Sequence, residues 1–158
     1  MVLIIARVAC SEVAPLHRNA RYDSSFLKGE TILYAVGVRR HVMIAHSLRD
    51  PYFGPAAALH GATYVVDVEF RSEHLNAKSV VVDIGAANER LEQVLKSLNF
   101  RNLDDDPRFA GQLTTTEVLA AHIHDELARE FAGEFRGELK VTLHESHVAW
   151  ATYMGTVS

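Results

Sequence analysis

Residues 61–71 read Gly-Ala-Thr-Tyr-Val-Val-Asp-Val-Glu-Phe-Arg, and their alternation decides the fold class. Tyr64, Val66, Val68 and Phe70 fall on one set of alternate positions, and Val65, Asp67 and Glu69 fall on the other. A period of two sends successive side chains to opposite faces, so this stretch is a β-strand with one apolar face. Upstream, residues 31–46 repeat the pattern, with Val36, Val38, Val42 and Ile44 on one face. Asp50-Pro51 and Gly54-Pro55 mark the loop between the two. Downstream, Leu139, Val141, Leu143 and Glu145 alternate in a third run, and residues 148–153 form a fourth.

The middle of the chain has a different period. A short apolar run at residues 79–84 ends in Asp83-Ile84-Gly85, after which Leu91, Val94, Leu95 and Leu98 lie at helical spacing. Residues 102–111 are polar, with Asp104, Asp105, Asp106 and Pro107, and read as a loop. Thr114 followed by Glu117 fits a capping box, in which hydroxyl and carboxylate satisfy opposite orphan amides. Val118, Ala121, Ile123, Leu127 and Phe131 then carry a second helix to about residue 132. Residues 2–9 are rich in aliphatic side chains and predict a strand, while residues 11–30 read as loop or extension. Strands at both ends with helices between them predict an α+β fold, the helices on one face of an antiparallel sheet. The expected organisation is a single domain over residues 1–158, with residues 1–30 as an extension.

Composition narrows the class. The chain has 158 residues, 48% of them hydrophobic and 23% charged, with a formal net charge of -4. Charges of both signs are interspersed, with no basic stripe, so neither nucleic acid nor a membrane surface is an expected partner. No apolar run reaches the roughly 18–20 residues that span a bilayer. The apolar residues 1–10 are short and interrupted by Arg7, so no signal peptide is expected. Cys10 is the one cysteine, which rules out an intramolecular disulfide and fits a reducing compartment. A cytoplasmic protein is expected.

Nine histidines invite a metal hypothesis. His46 ends one strand and His60 precedes the next, a spacing that connected strands bring together. Zinc usually needs three or four protein ligands, so from spacing alone two histidines fit partly exposed strand ends better than a metal site. Glu145 shares a strand face with Val141 and Leu143. A carboxylate there must be paired or hydrogen-bonded, and a ring edge with two adjacent N–H groups would satisfy it. Alternatively the strand opens at Ser146 and Glu145 reaches solvent. Asp104 to Asp106 fit either a hard-cation site or, more simply, a solvated turn. Glu117 is accounted for as a cap. Of His122 and His124 one should point outward, and neither is assigned a role.

Taken in order, several segments resemble the 6-pyruvoyl-tetrahydropterin synthases and the related 6-carboxytetrahydropterin synthases of queuosine biosynthesis. The resemblance covers residues 31–155. Ala45-His46-Ser47-Leu48 is similar to the family's first zinc-histidine segment, and Leu59-His60-Gly61-Ala62-Thr63-Tyr64 to its His-Gly-His segment. Val82-Asp83 resembles the turn into its first helix. Asn102-Leu103-Asp104 and Thr114-Thr115-Thr116-Glu117 resemble the connection to its second helix. Val141-Thr142-Leu143-His144-Glu145 with Tyr153-Met154-Gly155 is similar to its last hairpin. The resemblance implies a tunnelling fold (T-fold): four antiparallel strands and two helices per subunit, three subunits closing a barrel, and two trimers forming a homo-hexamer with sites between subunits. It implies a pterin-like ligand held by Glu145 with Thr115 and Thr116, and zinc on His46 and His60.

The sequence also departs from that pattern. The family's third zinc histidine is replaced by Ala62, leaving His41, His144 or His147 as candidates for a further ligand. Residues 54–58 contain no cysteine where the family places its catalytic one. The family's Asp-His pair is replaced by Asn99-Phe100, neither of which can act as a general base. The expected function is therefore binding of a pterin or similar heterocycle without the parent reaction, with the catalytic residues unknown. Different lyase-like chemistry on the pterin is one form of this reading. A non-catalytic pterin-binding or partner-assembly subunit is the alternative.

Overall fold

The computed structural model describes residues 33–158, so the expected strand at residues 2–9 and the extension lie outside the described residues. Strand β1 spans Tyr34–His46 and β2 spans His60–Ser72. Helix α1 is Ile84–Lys96, a two-residue strand β3 is Arg101–Asn102, and α2 is Thr116–Glu130. Strands β4, Gly137–His144, and β5, Trp150–Val157, close the chain. The sheet order is β3-β1-β2-β4-β5. The four long strands pair antiparallel, as the alternation predicts. The fifth, β3, pairs parallel with β1 at Ile44 and Ala45 and makes the sheet mixed. Two residues carry no readable period, so a four-stranded sheet was the expectation.

Both helices cover one face of this sheet. Val38, Val42 and Ile44 of β1, Tyr64, Val66, Val68 and Phe70 of β2, and Leu139, Val141 and Leu143 of β4 form one core with the helices. Helix α1 contributes Ala87, Leu91, Val94 and Leu95, and α2 contributes Leu119, Ala120, Ile123 and Leu127. Each such aliphatic side chain is worth roughly 1.5–3 kcal/mol when fully buried, so the alternation in residues 61–71 drives the fold more than strand propensity does. Among the described residues the opposite face carries no helix and is polar, with Arg39 on Asp67 at 2.5 Å and His144 on Asp67 at 3.0 Å.

Helix boundaries depend on local chemistry. The Asp83 carboxylate accepts from the Ala86 amide at 2.8 Å and starts α1, so the apolar run before it is loop. The cap of α2 is Thr115, whose hydroxyl accepts from the Val118 amide, and not the expected Thr114. Thr114 is 2% exposed and bonded to His46 instead. The capping-box spacing pointed to Thr114 with Glu117, but with Thr115 as the cap the third helical position is Val118, so the expected box does not form and Glu117 is not its cap partner.

His122 and His124 also differ from expectation, since both are covered. His122 is half-buried against the Phe109 ring, centroids 4.9 Å apart. His124 is 5% exposed and lies beneath β5. A Cβ built on Gly155 would stand 2.8 Å from the His124 ring, which is itself packed on Tyr153 at 4.8 Å. Gly155→Ala is therefore expected to lower stability by about 1–3 kcal/mol, read as a lower urea midpoint. An unchanged midpoint would mean that the ring moves freely.

Candidate functional site

His46 is the last residue of β1 and His60 the first of β2, and the register pairs them directly. Their positions share a face with the core, so both rings turn toward the helices. The Nδ1–H of His46 donates to the Thr114 carbonyl at 2.9 Å, with the Thr114 hydroxyl oxygen also 3.0 Å away. The Nδ1–H of His60 donates to the Ala58 carbonyl at 2.9 Å. A carbonyl can only accept, so both tautomers are fixed with the proton on Nδ1. The two Nε2 atoms then face each other as lone pairs, 3.1 Å apart. Burial, and next the neighbouring His60, hold the His46 imidazole below its usual value and disfavour an added proton.

Two nitrogens bound to one zinc at about 2.0–2.1 Å can stand this far apart, and carbonyls on the far nitrogens are the usual outer support of such ligands. The donor pair therefore fits two corners of a zinc shell. No group of three or more His, Cys, Asp or Glu side chains is gathered for a metal among the described residues. None of the candidate further ligands joins the pair. His41 projects from the other face of β1, His144 is held by Asp67 on the open face, and His147 lies exposed in the β4–β5 turn. The third ligand position of the family pattern is thus not filled by a described side chain of this chain.

The carboxylate side of the cavity is built from three elements. Strand β4 ends at His144, so Glu145 starts the turn, its amide bonded to the Ala149 carbonyl at 3.1 Å. Its side chain is exposed and lines the cavity. The Thr116 hydroxyl, in the first turn of α2, donates to Glu145 Oε2 at 3.0 Å. The amino end of a helix carries a partial positive charge that favours an anion there. Thr115 and Glu117 line the same cavity, of about 370 Å³, together with Phe53 and Trp150. That volume lies in the range of small-molecule sites, about 300–1,000 Å³. His46, His60, Thr115, Thr116 and Glu145 thus meet at one end of the sheet.

The aspartates are structural. Asp104 accepts from the Ser47 amide at 3.0 Å and hydroxyl at 2.5 Å, and pairs with Arg49 at 3.2 Å. It fastens the loop after β3 to the chain just beyond His46. Asp106 pairs with Arg108, and Asp105 accepts from Asn102. Burial alone would raise the Asp104 carboxyl, but bonds from Ser47 and Arg49 outweigh it and hold the group below the ordinary carboxylate value. A depressed folded-state value contributes stability above the unfolded value of about 3.9, and that stability is lost as pH falls through the folded value. Asp104→Asn should therefore cost about 1–2 kcal/mol at pH 7 in urea unfolding, and the deficit should shrink below pH ~4. A deficit independent of pH would refer the effect to packing.

Sequence reasoning missed two contributors, Thr114 and Tyr64. The second is fully buried with its hydroxyl 3.4 Å from Thr116. The one available signal was that Tyr64 shares a strand face with His60 and lies four residues on. Asn99 and Phe100 have other uses: Asn99 Oδ1 accepts from the Met43 amide at 2.9 Å, and the Phe100 amide donates to the Met43 carbonyl at 2.7 Å. Both continue the edge of β1, and the Phe100 side chain is left 75% exposed.

A sheet of this order with two helices on one face, and a histidine pair and a carboxylate meeting at one end of it, defines the pterin-synthase class of tunnelling folds. Residues 35–156 match the sequence model of the 6-pyruvoyl tetrahydropterin synthase family, and the chain belongs to that family. It is 31% identical over 98 residues to a 6-pyruvoyl tetrahydrobiopterin synthase of Poecilia reticulata, an alignment that covers 61% of this chain and 65% of that relative. The 6-pyruvoyl tetrahydropterin synthase structure of Caenorhabditis elegans superposes with a TM-score of 0.67 at 24% identity, covering 79% of this chain and 97% of that one. The Plasmodium vivax 6-pyruvoyl tetrahydropterin synthase gives 0.66 at 19% identity, covering 80% and 99%. At these identities the structural likeness speaks for the fold. No helix among the described residues is long and apolar enough to cross a membrane.

Proposed function

We propose that this protein binds a pterin or a similar heterocycle in the cavity at the carboxylate end of the sheet, and does not carry out the parent synthase reaction. The observation that carries the reading is the Glu145 carboxylate, held through Oε2 by Thr116 and exposed to a cavity of about 370 Å³. Its remaining acceptor positions match a ring edge that offers two N–H groups. Thr115 and Thr116, at the amino end of α2, complete the anchor.

What argues against the parent reaction is the fate of the positions that would move protons. Residues 54–58 are Gly-Pro-Ala-Ala-Ala, and Asn99 is occupied with the backbone of β1. A positioned acid or base typically contributes about two to four orders of magnitude to rate. His46 and His60 would hold zinc, whose contribution when bound is to polarise substrate oxygens. Remaining coordination positions would then fall to water or ligand.

Assembly into a homo-hexamer, a dimer of trimers, fits the same reading. Among the described residues β5 is a sheet edge and β3 covers two residues of the other edge, so pairing between copies would remove exposed strands. A cytoplasmic location accords with the single cysteine. The test is a titration of the purified protein with the fluorescent parent pterin, with and without zinc, followed by a search for turnover. Saturable binding without product supports the reading. Absence of binding, with a related active subunit co-purifying, would replace it by an assembly role.

A further inference from the structure

Tyr64 has a polar atom in an otherwise apolar position. The residue is 0% exposed within the core of β2, and its hydroxyl lies 3.4 Å from Thr116 Oγ1. Thr116 in turn donates to Glu145 Oε2 at 3.0 Å. An ionised carboxylate only accepts, so the single hydroxyl proton of Thr116 points at Glu145. The Thr116 oxygen then has only lone pairs to offer Tyr64, and the phenol must donate to it. The direction of the chain is thus fixed from its carboxylate end, Tyr64 to Thr116 to Glu145. Burial also keeps the phenol protonated, by raising it above its ordinary value.

The register explains why these groups meet. Val65 of β2 stands opposite His144 of β4, so the next step along the two strands brings Tyr64 beside Glu145. Thr116 sits above both, in the first turn of α2. The phenol is therefore anchored by core packing, whereas Glu145 is in an exposed turn and, among the described residues, its carboxylate is held by Thr116 alone.

We propose that Tyr64 is a positioning residue for the ligand-anchoring carboxylate: from the core it fixes the Thr116 hydroxyl, which holds Glu145 Oε2 and turns Oε1 to the cavity. The inference rests on the reading of Glu145 as the ligand anchor. Without the phenol, Thr116 is free to choose another rotamer, and the anchor loses its preset orientation. Affinity falls because the ordering must then be completed on binding.

Tyr64→Phe keeps the ring and its packing while removing the one donor. In the full-length protein it should weaken binding of the parent pterin roughly three- to tenfold, the range set by one hydrogen bond of a partly buried network. In the Glu145→Gln background the same change should have little effect, because the oriented carboxylate is gone. A readout without ligand is the side-chain carboxyl ¹³C resonance of Glu145, which should shift in Tyr64→Phe. Equal losses in both backgrounds would overturn the proposal in favour of plain packing. So would an unchanged affinity and an unmoved resonance while Glu145→Gln abolishes binding. A shifted resonance alongside undiminished pterin binding by Glu145→Gln would uphold the positioning of Glu145 and overturn its reading as the anchor.

Discussion

Replacing Glu145 by glutamine is expected to weaken pterin binding by about 1.5–3 kcal/mol, or roughly ten- to more than a hundredfold, because each hydrogen bond to a charged acceptor carries energy of this order. The amide keeps the size of the side chain and one acceptor oxygen, so shape alone cannot account for the loss. It also places an NH₂ group where a ring N–H would approach, which turns an attraction into an opposition of donors. Glu145 is exposed and lies in a turn, so the fold should hardly respond. Fluorescence titration with the parent pterin and a thermal scan on the same samples check both statements. Undiminished binding would remove Glu145 from the site. Lost binding with a lower melting temperature would require a gentler variant.

The second large effect is expected at the histidine pair. His60→Ala should reduce zinc affinity by at least the hundredfold that loss of an outer-shell partner alone can reach. The argument rests on tautomers. Both Nδ1–H groups are committed to carbonyls, so both Nε2 lone pairs point into the 3.1 Å gap between the rings. Removing one leaves a single nitrogen on a buried ring, too few donors to hold the ion. His60 is the better target because His46 is 2% exposed and its loss would disturb the core. The measurement is zinc content after dialysis, with zinc competition for affinity. Equal zinc content in wild type and variant would place the metal elsewhere. No retained zinc in either would mean that the pair needs a further ligand from outside these side chains.

Much of the fold could be read along the chain. The alternation in residues 61–71 fixed one strand and its buried face, because burying Tyr64, Val66, Val68 and Phe70 together allows no other register. Helix α1 was visible in part: its stripe Leu91, Val94, Leu95 is buried as spaced, but its start at Asp83 was set by a side-chain cap. The start of α2 was misplaced by one residue, since the spacing to Glu117 favoured Thr114, whereas the fold engages the Thr114 hydroxyl with His46 and leaves Thr115 to cap the helix. Strand β3 could not be foreseen, because two residues show no period.

The candidate site divides in the same way. The sequence by itself determined which side chains exist: His46 and His60 at strand ends, Glu145 after an apolar run, Thr115 and Thr116 before a helical one. It also determined the absence of a cysteine over residues 54–58 and the presence of Ala62, Asn99 and Phe100 where the family has other groups. Only the tertiary structure decided that the two rings oppose lone pair to lone pair. That depends on the carbonyls of Thr114 and Ala58, backbone atoms that every residue possesses and no sequence pattern marks. It likewise decided that a buried tyrosine on β2 supports a threonine on α2 and a glutamate beyond β4. Such contacts join residues 68 positions apart, from His46 to Thr114, and 52 apart, from Tyr64 to Thr116, and arise only when strand register and helix docking are both in place.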